Sequence, residues 1–154
     1  MDERAAFVER FAGQLGEAGM ARMPARIFSA LLASDSGAMT SAELSESLTV
    51  SPAAVSSGVR YLAHVGMVSR EREPGSRREL YRVHSDQWYE ALGSREQIMK
   101  RWVDALRDGV TSLGPDSSGG RRLAETLEFF EFMQRELPTL LERWREHRER
   151  TFGR

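Results

Sequence analysis

The chain has 154 residues, 40% apolar and 29% charged, which suits one compact subunit with a packed core and excludes a disordered polyelectrolyte. It has no cysteine, so disulfides, thiol redox sensing and cysteine-based zinc sites are excluded. The net charge of −1 is unevenly spread: residues 51–82 hold six Arg and three Glu, a local charge of +3, leaving −4 for the remainder, and such a basic segment can bind a polyanion.

Phe7, Val8, Phe11 and Leu15 are spaced for one face of a helix over residues 3–18, ended by Gly16 and Gly19. A second helix follows Pro24, with Ile27, Phe28, Leu31 and Leu32 at helical spacing. The stretch SDSGAMT predicts a loop. In TSAELSESL, Thr40 or Ser41 caps a short helix, with Glu43 three residues beyond Thr40 as in a capping box.

Residues 51–66, SPAAVSSGVRYLAHVG, start like a helix, with Ser51 as cap and Pro52 at the first helical position. Val55, Val59 and Leu62 form an apolar stripe. The opposite face, with Ser56, Ser57, Arg60 and His64, has no acid at all. In MVSREREPGSRRELYRV, Pro74-Gly75 marks a turn between two short strands, predicting a hairpin whose tip and flanks carry Arg72, Arg77 and Arg78.

The remainder is predicted helical. Trp88, Leu92, Met99, Trp102, Leu106, Val110 and Leu113 form a seam of heptad type interrupted at Arg95. GPDSSGG (114–120) predicts a break, with Gly119-Gly120 in the loop. A last helix is expected from about residue 121 to 150, with a kink or local break at Pro138.

A short helix, a three-residue turn, a second helix and a basic hairpin make a winged helix-turn-helix. The fold class is therefore mainly α with a small β-hairpin wing, flanked by helices at both ends. The second helix of such a unit lies in the major groove of DNA. Ala53, Ala54, Ser56 and Ser57 are small enough for close approach, and hydroxyls, with Ser51 at the helix start, can bond bases or phosphates. Arg60 can reach a phosphate or a guanine edge. Arg72, Arg77 and Arg78 of the wing suit the minor groove or the adjacent backbone. The bland alternative is a solvated helix and a hairpin whose charges block edge pairing.

Two other classes compete. An enzyme would need a nucleophile elbow, a zinc-binding helix, a phosphate loop or a dinucleotide fingerprint, and the sequence has none. A protein-interaction module would want aromatic or leucine anchors on the exposed helix face, which offers Ser, Ala and Arg instead. The three histidines, His64, His84 and His147, sit on different elements without ligand spacing, so neither a metal nor a cofactor is expected. No apolar run nears the roughly 18 residues that span a bilayer, and the start MDERAAFVER has no signal-peptide pattern, so no membrane partner and a cytoplasmic location are expected.

From about Pro24 to Leu92 the chain resembles the MarR family of bacterial transcription regulators. The resemblance is carried by SAELSESLTVSPAAVSSGVRYLAHVGMVSREREPGSRRELYRV, two helices followed by the wing. GSRREL is similar to the family's wing tip, with Ser76 where an Asp commonly braces a wing arginine, and Ser57 stands where Arg is frequent. Within the family the chain is most similar to actinobacterial members that repress export pumps for lipids or drugs. The resemblance implies a homodimer that sets two recognition helices about 34 Å apart on an inverted-repeat operator of double-stranded DNA. It implies residues 23–85 as the DNA-binding domain and 1–22 with 86–154 as dimerisation helices. It also implies a small effector, commonly bound between the dimer region and the winged domain.

Dimerisation has support in the residues too, because the terminal helices carry more apolar stripe than one winged domain needs. Phe7, Phe11, Leu137, Leu141 and Trp144 are the candidates for that contact. For an apolar or aromatic effector the candidate lining residues are Phe11, Phe28, Leu32, Trp88, Met99, Trp102 and Phe129, plain core packing being the alternative.

Overall fold

A computed structural model describes residues 2–84, 86–93 and 95–153. It divides into two compact units, Met1–Ala91 and Leu92–Arg154. The architecture is mainly helical with one small antiparallel sheet, as the sequence predicts.

The first unit begins with α1 (Glu3–Glu17), whose free N–H groups are capped by Asp2 through a 2.8 Å bond from Ala5 N–H. It packs on α2 (Arg22–Ala33), so residues 1–22 share a core with the winged segment. Pro24 lies in the first turn of α2, where its missing N–H has no helical acceptor to lose. The centre of α2 is buried on nearly all sides: Ala25, Ile27, Phe28, Ala30 and Leu31 lie inside, and the Ser29 hydroxyl donates to the Ala25 carbonyl (2.8 Å).

The segment expected to be a loop before the third helix contains a strand, β1 (Ala38–Thr40), which pairs with β3 (Glu79–Arg82). A three-residue strand has no readable alternation. Its stability comes from a partner some forty residues away. The wing is β2 (Ser69–Arg72) antiparallel to β3, giving the order β1-β3-β2, with Arg72 opposite Glu79. At its tip Gly75 takes φ +75 and Ser76 N–H donates to the Glu73 carbonyl (3.0 Å). Tyr81 of β3 is buried, and its hydroxyl donates to Glu79 Oε2 (2.8 Å). Burial, then this bond and the Glu79 charge, push the phenol above its ordinary pKa near 10.

Thr40 makes the capping box of α3 (Ser41–Leu48): Glu43 N–H donates to Thr40 Oγ1 and Thr40 N–H to Glu43 Oε1, both 3.2 Å. The turn from α3 to α4 (Pro52–His64) passes through Thr49 at φ 55, ψ 53. Among the described residues it alone, apart from glycines, has a positive φ. A β-branched residue there stores on the order of 1–3 kcal/mol. Val50 N–H to the Ser45 carbonyl (3.0 Å) and Thr49 N–H to the Glu46 carbonyl (3.3 Å) close the helix end. Ser51 caps α4 by accepting from Ala54 N–H (3.2 Å), with Pro52 first in the helix as expected. The short α5 (Gln87–Gly93) starts in this unit and runs two residues past Ala91, and its Trp88 meets Phe28 edge-on at 5.3 Å.

The second unit is a helical hairpin, α6 (Glu96–Leu113) and α7 (Ser118–Phe152). Gly119 and Gly120 are not in a loop but in the first turn of α7. A Cβ on Gly120 would sit 1.8 Å from the Gly114 carbonyl oxygen, so this tight reversal requires glycine. The helix runs on through Pro138, and the expected local break does not occur. Proline removes one hydrogen bond, while the turns on either side remain bonded and need no new nucleation. Trp102 and Phe130 meet edge-on at 5.5 Å, Arg107 reaches Glu131 (3.6 Å), and Val103 is buried.

Candidate nucleic-acid interface

The site is built on α4. One side of this helix, Val55, Gly58, Val59 and Leu62, is buried in the core. The other presents Ser51, Ala53, Ser56, Ser57 and Arg60 to solvent, with Ala54 half-buried at the edge. The same periodicity that hides the apolar residues thus puts all the small and basic candidates on one face. Gly58 makes this arrangement close-packed: a Cβ there would fall 2.5 Å from Ile27 Cδ1 and 3.5 Å from the Pro24 nitrogen. Tyr61 and His64 are also exposed on or beside this face. Their helical spacing from Ser57 and Arg60 was the signal that could have added them to the candidates.

Arg72, Arg77 and Arg78 are exposed on the wing. Arg78 pairs with Glu73 (3.5 Å) across the tip, Arg82 with Glu71 (3.0 Å), and Glu79 accepts from the Tyr81 hydroxyl, so the wing's acids already have partners. Among the described residues no ion pair holds Arg60, Arg72 or Arg77. Ser76 does not brace Arg77 as an aspartate would; its Oγ accepts from the Arg78 backbone N–H (3.0 Å). The unit therefore offers a small-residue helix face and a wing with uncommitted guanidinium groups, chemistry suited to base edges and phosphates.

The other candidates lie elsewhere. Phe7 and Phe11 stack at 5.5 Å on α1, with Phe11 half-buried. Phe28 is fully buried in the core, and Leu32 and Trp88 are partly exposed in the same unit. Met99, Trp102 and Phe129 belong to the second unit, where Trp102 and Phe129 both contact Phe130. Leu137 is half-buried and Trp144 exposed. Leu141 is already buried within its own chain (8% exposed), whereas its neighbour Leu140 is 58% exposed.

A mainly helical chain with a three-stranded sheet, a hairpin wing and this arginine-bearing face is a winged-helix DNA-binding protein. Two family models match it: a MarR family model over residues 18–79 and one for MmpR5-like MarR family transcriptional regulators over residues 86–147. The chain belongs to the MarR family, whose members are transcription regulators. Among solved structures, one described as a transcriptional regulator is 25% identical, with 94% of this chain and 99% of that chain covered and a TM-score of 0.84. A mutant MarR from E. coli complexed with operator DNA is 16% identical over 82% of this chain and 81% of that one, TM-score 0.41. The regulator Tm0710 from Thermotoga maritima is 18% identical over 85% and 89%, TM-score 0.43. No curated protein matches the chain in sequence. Among the described residues no helix is long and apolar enough to cross a membrane.

Proposed function

We propose that the protein is a cytoplasmic, homodimeric repressor that reads an inverted-repeat operator and is released by a small apolar ligand. The observation that carries the DNA-reading part is the pairing, within one unit, of the acid-free outer face of α4 with two wing arginines, Arg72 and Arg77, that no ion pair holds among the described residues. In this reading Ser51, Ala53, Ala54, Ser56, Ser57 and Arg60 face the major groove, and Arg72, Arg77 and Arg78 face backbone or minor groove. Small side chains let the helix backbone approach, so recognition leans on hydroxyls, methyl contacts with thymine and one arginine.

The dimer is supported by the second unit. A hairpin of two helices cannot enclose its own apolar surface, and α7 leaves Phe129, Phe132, Leu140 and Trp144 exposed along one stripe. A second copy presenting the same stripe covers it. Repression needs only that the dimer occupy its operator. The apolar effector is favoured by the aromatic candidates that remain exposed, Trp88, Trp102 and Phe129.

The deciding experiment is a fluorescence-anisotropy titration against a duplex selected by the protein from a random pool and against a scrambled duplex, at two salt concentrations. Preference for the selected duplex, with affinity falling steeply as salt rises, is expected. Absence of binding at low salt would instead indicate a winged helix that binds protein.

A further inference from the structure

The turn between α3 and α4 sets where the outer face of α4 points, and Thr49 holds that turn in a left-handed conformation that threonine disfavours. Contacts around the turn must keep it there. Two are local: the Val50 N–H bond to the Ser45 carbonyl and the Ser45 hydroxyl bond to the Val50 carbonyl (2.5 Å). The third comes from another helix. Arg26 of α2 donates through Nη2 to the Leu48 carbonyl (3.1 Å), the last of α3 and otherwise an orphan acceptor beside Thr49. Its Nε donates to Glu9 Oε1 of α1 (3.1 Å), and its Nη2 lies 3.0 Å from the same oxygen. The Arg26 side chain is only 15% exposed. Glu9 thus neutralises a mostly buried cation and fixes the plane of the guanidinium, leaving Nη2 aimed at the helix end. A lysine, with a point charge on a flexible stem, cannot hold both partners in this fork.

We propose that Arg26 is a positioning residue for DNA recognition: clamped by Glu9, it holds the strained turn at Thr49 and so aims α4. It touches no DNA itself. The proposal rests on the DNA-reading function given above, and it makes a demand that simple packing does not. If Arg26 acts by holding Thr49 in its left-handed conformation, a residue that adopts that conformation freely removes the need for the clamp.

The test is a double-mutant cycle of Arg26→Met and Thr49→Gly, read as affinity for the selected duplex over affinity for the scrambled one. Wing contacts with phosphate survive, so Arg26→Met should lower the ratio about tenfold, equivalent to about 1.4 kcal/mol, while binding to the scrambled duplex changes little. In the Thr49→Gly background the same change should cost less than about threefold, and Thr49→Asn should behave in the same way. An unchanged ratio in Arg26→Met, or a loss equally large in the Thr49→Gly background, overturns the proposal. If Arg26→Met does not fold by circular dichroism, the cycle is run with Arg26→Lys under the same two criteria. Failure of the unmodified protein to prefer the selected duplex would remove the DNA-reading function itself, an outcome seen before any variant is made.

Discussion

At the level of single residues, Gly58 and Arg77 separate what holds the recognition helix from what it offers. Gly58→Ala gains helix propensity of about 0.8–1 kcal/mol. It also drives a methyl group to 2.5 Å from Ile27 Cδ1, a fully buried side chain, and to 3.3 Å from Met23 Cγ, and overpacking costs about 1–3 kcal/mol. The clash should win by about 1 kcal/mol, lowering the melting temperature by about 2–4 °C; a rise in the melting temperature would show that α2 and α4 separate without cost. Arg77→Ala touches nothing in the fold, because the side chain is exposed with no ion pair among the described residues. It should leave the melting temperature unchanged, weaken operator binding and reduce the salt slope by about one ion. Unchanged binding would move the wing off the DNA.

At the level of elements, α7 carries two adjacent positions with opposite expected behaviour. Leu141 is buried, so Leu141→Ala should destabilise the fold by about 2–5 kcal/mol. Leu140 is exposed on the stripe with Phe129, Phe132 and Trp144. Leu140→Glu should therefore keep helical circular dichroism while shifting sedimentation from dimer to monomer at micromolar concentration. Persisting dimers would take this stripe out of the interface. The sequence pattern names Leu141 for the dimer contact, and it takes the structure, with Leu141 buried and Leu140 exposed, to separate the two leucines. Elsewhere the elements were legible where the signal was local: the capping box at Thr40, Ser51-Pro52 opening α4 and Pro74-Gly75 turning the wing all form as expected. What escaped was set by distant partners. β1 exists because β3 pairs with it. Gly119-Gly120 enters α7 because the reversal at Gly114 leaves no room for a side chain. The Arg26 fork joins three helices whose order, but not their approach, the sequence shows. The outer face of α4 was readable because residue type and helical period coincide there.

At the level of the whole molecule, each unit leaves something undone. The first unit, Met1–Ala91, carries the proposed DNA-reading face and encloses its own core of α1, α2, α3, α4 and the sheet. The second, Leu92–Arg154, is a hairpin with its apolar surface exposed. In the proposed dimer, pairing through the second unit doubles the phosphate contacts that one winged unit can make. Affinity for a full inverted repeat should consequently fall far more than twofold when one half-site is scrambled. A loss no larger than twofold would mean that each copy binds independently.

The two sides of α4 also bear on how such a regulator changes over generations. Val55, Gly58, Val59 and Leu62 answer to the core, while Ala53, Ser56, Ser57 and Arg60 answer to nothing inside the protein. Substitutions on the outer side leave stability almost untouched, so the chain can drift to new operators without passing through unfolded intermediates. Duplicated copies could diverge into regulators of different genes by altering a handful of exposed positions on one helix.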